Sequence, residues 1–166
     1  MKYNVINIIL ILLTSCYPKP GKDHLMAVTK LPFFKIISLD SSKCINTADL
    51  HTGKPILFMY FGPNCEVCQQ ETKELIKHLD ALQNIDIYMI SNESTESSKR
   101  FSQFFRLDTI QNIFIGSDYD YTFFNIYSPN SIPFLAIYDS KKNLKKLYRE
   151  KVPITSIINA AHPSKE

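Results

Sequence analysis

Residues 56–61, Ile-Leu-Phe-Met-Tyr-Phe, run into Gly62-Pro63-Asn64 and then into Cys65-Glu66-Val67-Cys68. Six apolar or aromatic residues are too few for a helix and lack the alternation of a half-exposed strand. They predict a strand buried on both faces, in the middle of a sheet. Gly62 and Pro63 break it. From Cys65 the period becomes helical, with Val67, Leu75, Leu79 and Leu82 on one face, Glu71 and Glu74 early, and Lys77 and His78 late. Asn64 is expected as the N-cap. The two sulfurs then lie at i and i+3 across the first helical turn, where side chains meet and a disulfide can close. Cys65, at the exposed start, gains most from the free N–H groups and the positive end of the helix dipole, which favour thiolate over thiol. It is the candidate nucleophile, and Cys68, one turn in, is the candidate resolving thiol.

Around this unit the chain alternates between strands and helices. Residues 33–39 read as a strand, 40–43 as a turn, 44–45 as a short return strand, and 46–50 as a single capped helical turn. Residues 85–90 are a second buried strand and 95–107 a helix whose apolar face is Phe101, Phe104, Phe105 and Leu107. A short strand at 112–115 precedes a helix at 118–127 with Tyr119 and Phe123 on one side, expected to pack in the core, with a substrate groove as the other reading. A strand entered through Ile132-Pro133, a hairpin turn at 139–143, a return strand at 144–149 and a helix started by Pro153 complete the order. Cys44 is expected to be a small buried hydrophobe, with a regulatory or resolving thiol as the alternative. Lys141, Lys142, Lys145, Lys146 and Arg149 suit a solvated, protected sheet edge, or else contact with anionic lipid.

The 166 residues, 45% of them apolar, suffice for one buried core. A net charge of +3, or +2 without Lys2, is too small for a phosphate-binding surface, so nucleic acid is not an expected partner. No Gly-rich phosphate loop, His-Glu-x-x-His or Ser-centred nucleophile elbow occurs, and His24, His51, His78 and His162 are scattered. Lys2 followed by the apolar residues 5–13, interrupted only by Asn7, has the anatomy of an export signal and is too short to span a bilayer. Leu13-Thr14-Ser15-Cys16 resembles the lipobox of bacterial lipoproteins. That resemblance implies cleavage before Cys16 and lipid attachment to it, a plain secretory signal being the alternative. The expected division is a signal peptide at 1–15, a lipid-attached linker at 16–30, a domain at 31–162 and a tail at 163–166. The expected location is the bacterial cell envelope, facing the periplasm or extracytoplasmic space, where disulfides persist.

The strand, Phe61-Gly62-Pro63-Asn64-Cys65-Glu66-Val67-Cys68, the helix after it and the later Ile132-Pro133 resemble the active-site segments of the thioredoxin superfamily. The likeness is strongest to the exported, membrane-anchored reductases of the TlpA/ResA type. It implies an α/β thioredoxin-like fold over residues 31–161, a central mixed sheet flanked by helices with an N-terminal β-hairpin added. It also implies that Cys65 attacks, that Cys68 resolves, and that Glu71, matching the acid three residues after the second Cys, takes the Cys68 proton. Ile132 and a cis Pro133 would face the dithiol and hold an extended partner chain, with Asn64, in place of the usual aromatic residue, beside them. Val67 replaces the usual Pro, and Met59 stands where thioredoxin has a buried Asp. Glu66 adds negative charge that opposes thiolate formation and favours reducing behaviour.

The function so implied is a monomeric thiol-disulfide oxidoreductase that reduces disulfide-bearing exported proteins and is recharged by a membrane or exported thiol electron donor. It would need no metal and no cofactor beyond the Cys65-Cys68 pair. A peroxiredoxin would carry Thr or Ser three residues before its peroxidatic Cys, where this chain has Gly62. Two alternatives remain, a Cu(I) metallochaperone using two thiolates and a non-catalytic lipoprotein with a structural disulfide.

Overall fold

The computed structural model describes residues 28–51 and 53–162, so the signal segment, Cys16, most of the linker and the tail lie outside the described residues. Seven strands form one mixed sheet in the order β2-β1-β5-β4-β3-β6-β7. Its centre is β3 (Ile56–Tyr60), buried at every position, parallel to β4 (Asp86–Ser91) and antiparallel to β6 (Phe134–Tyr138), which is also wholly buried. A strand covered on both faces can be apolar throughout, and this is why 56–61 lacks alternation. Outward from β4 lies β5 (Ile113–Ser117), then the hairpin of β1 (Lys35–Ser38) and β2 (Cys44–Asn46); β7 (Leu144–Tyr148) closes the other edge. This is the expected mixed sheet with its N-terminal hairpin.

Alternate residues of β3 serve two cores. Leu57 and Met59, with Phe61 beyond the strand, pack with Cys68 and Leu75 of α1 (Glu66–Lys77), Phe101 of α3 (Thr95–Phe105) and Ile154 and Ile157 of α5 (Ile154–Ala161). Ile56, Phe58 and Tyr60 pack on the opposite face with Phe34, Tyr138 and the α4 (Thr122–Tyr127) residues Phe123 and Tyr127. The buried hydroxyls of Tyr127 and Tyr138 satisfy each other.

Several expectations are corrected. The helix read from Cys65 to Leu82 breaks at His78, leaving α1 and the single turn α2 (Leu79–Leu82). Residues 46–50 form turns instead of a helix, because Asn46 ends β2 and its side-chain oxygen accepts the Ala48 N–H at 3.0 Å. The helix at 118–127 begins only at Thr122. The Asp118 carboxylate accepts the Phe123 and Phe124 N–H groups at 3.0 and 2.9 Å, which leaves Tyr119 outside the helix and 80% exposed. Cys44 is exposed on the edge strand, not buried. Residues 28–30, read as linker, join the fold: the Leu144 N–H donates to the Thr29 carbonyl and Lys30 bridges Asn143.

Candidate active site

Strands β3, β4 and β5 all end at one rim of the sheet, and the dithiol stands there. The Phe61 N–H still donates to Ile90, after which the Cys65 N–H donates to the Gly62 carbonyl at 3.0 Å and closes a turn. That turn makes Cys65, not Asn64, the N-cap of α1. The Cys65 Sγ accepts the Cys68 N–H at 3.2 Å, in the place a capping oxygen would take. A thiolate there receives a backbone donor and the positive end of the helix dipole.

The two sulfurs differ in access. Cys65 is half-buried and Cys68 fully buried, and the two are unlinked in this structure. Burial, followed by its hydrogen bond with Cys65, pushes the Cys68 thiol well above the ordinary range, while the Gly62 backbone pulls weakly the other way. Cys65 is therefore the more accessible of the two sulfurs. The Ile132-Pro133 bond is cis, and the Ile132 carbonyl lies 3.9 Å from the Cys65 Sγ, so that loop forms the facing wall.

Glu71 lies three residues beyond Cys68 in the same helix and is fully buried, and among the described residues neither carboxylate oxygen has a hydrogen-bond partner. Burial raises its titration to about 7. The Val152 N–H and the Lys151 charge oppose that rise, but the N–H does not reach hydrogen-bond geometry, and Glu74 adds to the rise. Met59, at the position where thioredoxin has its acid, packs against the cluster that holds Cys68. Glu71 is thus a buried acid one helical turn beyond the inner thiol, and its charge adds to the cost of ionising Cys68.

Asn64 is exposed and lines a cleft of about 350 Å³ with Pro63, Gln69, Phe101, Phe104 and Phe105. Phe104, expected in the core, is 76% exposed on the wall of that cleft, because α3 turns only Phe101 inward fully. Val67 likewise faces out and is 43% exposed, so it packs no core.

Gly62 is more than a strand breaker. A Cβ there would stand 2.7 Å from a Glu93 carboxylate oxygen, 3.0 Å from the Ile132 Cδ1 and 3.6 Å from the Cys65 Cβ. Glu93 stands in the loop after β4. The sequence signal that points to it is its place just past a buried strand parallel to the dithiol strand. Among the described residues no three His, Cys, Asp or Glu side chains gather as a metal-ligand set.

A family model described as the AhpC/TSA family matches residues 28–161. The chain is 26% identical over 77 residues to the methylamine utilization protein MauD of Methylophilus methylotrophus, which is 46% of this chain and 36% of that protein. The match therefore spans about a third of that relative's length. Among solved structures, one similar protein is a secreted Mycobacterium tuberculosis disulfide oxidoreductase homologous to E. coli DsbE. Its TM-score is 0.63 at 17% identity, over 84% of this chain and 99% of that one. Another is the thioredoxin domain of a thiol-disulfide oxidoreductase from Bacteroides vulgatus, with a TM-score of 0.62 at 18% identity, over 80% and 92% of the two chains. At these identities the structural likeness establishes the fold, and the fold is thioredoxin-like.

Proposed function

The chain belongs to the AhpC/TSA family, and on that footing we propose that it is a membrane-anchored, extracytoplasmic thiol-disulfide oxidoreductase that reduces disulfides of exported proteins. The observation that carries the reading is the half-buried Cys65 sulfur at a helix N-cap, with Cys68 buried one turn behind it and the cis Ile132-Pro133 loop in front.

In the forward step the Cys65 thiolate attacks one client sulfur. A Cys65-client disulfide forms, the client disulfide breaks, and the departing sulfur leaves as a thiolate that takes up a proton. Cys68 then gives its proton to Glu71, which titrates near neutrality, and attacks the Cys65 sulfur. The Cys65-Cys68 disulfide forms, the mixed disulfide breaks, and the second client sulfur is released. Two electrons have passed from the dithiol to the client, and an exported thiol donor returns them. Ile132 and Asn64 flank the path along which an extended client chain would lie, and the exposed backbone beside Pro133 suits strand-like pairing.

Support for anchoring and export comes from Leu13-Thr14-Ser15-Cys16 and the apolar segment before it. No described helix is long and apolar enough to cross a membrane, and the lipid on Cys16 is the anchor we propose. Peroxide reduction fits less well, because Gly62 brings no hydroxyl to the thiolate.

The test is reduction of insulin by the full chain with a chemical thiol donor. Cys65→Ser should abolish turnover, and Cys68→Ser should accumulate a Cys65-insulin mixed disulfide. Turnover that survives Cys65→Ser would refute the assignment. Thiol trapping in cells tests direction: a reductase keeps the pair mostly reduced, and a mostly oxidised pair would mean an oxidase.

A further inference from the structure

Beyond the dithiol, the same rim of the sheet carries a second cavity, of about 440 Å³, whose walls include Asn92, Glu93, Ser117, Asp118, Tyr119 and Tyr121. It adjoins the dithiol through Glu93. Because β3 and β4 run parallel with Tyr60 opposite Ile90, the segments holding Gly62 and Glu93 leave the sheet at the same rim. A Glu93 carboxylate oxygen and the Cys65 Cβ both lie within 3.6 Å of the point where a Gly62 Cβ would stand.

Two tyrosines and two carboxylates line the cavity, with neutral polar side chains such as Asn92 and Ser117 between them. Among the described residues no Lys, Arg or His lines it. Asp118 is committed to the Phe123 and Phe124 N–H groups at the start of α4. Glu93, by contrast, is exposed and makes no ion pair among the described residues. Tyr119 and Tyr121 are both solvent-facing beside it. A free carboxylate next to open tyrosine rings matches the needs of a guanidinium or ammonium group, which can pair with the first and lie against the second.

We propose that Glu93, with Tyr119 and Tyr121, determines specificity by seating an Arg or Lys side chain that flanks the client cysteine under attack by Cys65. The inference rests on the oxidoreductase reading above and adds the chemical class of the client: disulfides in basic sequence. It also gives the exposed Tyr119 and the close approach at Gly62 a common purpose, since a side chain at Gly62 would displace the carboxylate that does the sorting.

The experiment compares three disulfide-linked peptides, identical except for Arg, Gln or Glu beside the cysteine, as substrates of the full chain. In the wild type, kcat/KM for the Arg peptide should exceed that for the Glu peptide by about threefold to fivefold, the scale of one solvent-accessible charge pair. That ratio should shrink as salt is added. Glu93→Gln should bring the ratio close to one, and Glu93→Arg should invert it. A wild-type ratio of one would overturn the proposal, as would a preference that Glu93→Gln leaves intact and so places in Glu66. If the wild type reduces none of the three peptides, the oxidoreductase reading itself fails. Turnover of all three without charge preference defeats only the role of Glu93.

Discussion

Glu71→Gln should make the protein more stable at alkaline pH and slower as a reductase. The carboxyl is wholly buried, lacks a hydrogen-bond partner, and titrates near 7 in place of its ordinary 4.5 because burial disfavours the anion. A difference of that size between folded and unfolded states corresponds to about 3 kcal/mol. The sign follows from proton counting. The folded pKa is the higher one, so between pH 4.5 and 7 the folded state binds more protons than the unfolded chain. Wild-type stability therefore falls as pH rises through that window, and the full cost is present above it. Glutamine stays neutral throughout. At pH 5 both proteins bury a neutral polar group and should differ little, whereas by pH 8 the variant should be the more stable by up to about 3 kcal/mol. Urea unfolding of the reduced proteins across that range measures the difference directly. In the same variant Cys68 loses the proton acceptor proposed for it, and the Cys65-client mixed disulfide should persist about a hundredfold longer, the low end of what a positioned base contributes. A stability difference that does not change between pH 5 and 8 would refute the reasoning, since the burial of charge would then cost nothing.

Gly116→Ala should destabilise the chain by about 1–3 kcal/mol, the cost of overpacking, read as a fall in Tm. A Cβ there would stand 2.6 Å from both the Ile36 Cγ2 and the Ile37 carbonyl oxygen, and backbone cannot yield as a flexible side chain can. Cys44→Ser should leave insulin reduction unchanged and alter stability by no more than about 0.5 kcal/mol, as befits an exposed edge-strand position. A fall in activity in that variant would give Cys44 a part in the electron path.

The sheet was legible because its central strands are covered on both sides. Residues 56–61 are a continuous apolar run and 85–90 are interrupted only by Asp86, the partly buried first residue of β4, so both read as strands. Cys65 and Cys68 were legible as a pair where the strand period gives way to the helical one, whereas Pro133 as a facing wall followed only from the family resemblance, because the approach of Ile132 to Cys65 is set by tertiary structure. Asn64 misled because asparagine caps helices so well, while a turn closed through Gly62 moves the first helical residue one place on and lets sulfur do the capping. Phe104 misled because residues 101, 104 and 105 share a helical stripe, and sequence does not say where a cleft interrupts it. Cys44 lies on a three-residue edge strand, where position and not residue type sets exposure. Glu93 was legible only as a loop residue just past a buried strand. Its approach to Gly62 depends on the parallel register of β3 and β4, a long-range fact absent from either segment.

Equilibration of the full chain in glutathione buffers, followed by mass analysis of alkylated Cys65 and Cys68, tests the redox claim most directly. Burial of Cys68 and the nearby Glu71 carboxylate disfavour the Cys68 thiolate, which destabilises the dithiol relative to the disulfide, so a reducing pair is expected. The account predicts a single two-electron transition joining Cys65 to Cys68, at a potential below about −200 mV. A pair that never closes, or that closes only near the strongly oxidising potential of about −120 mV typical of disulfide donors, would contradict it.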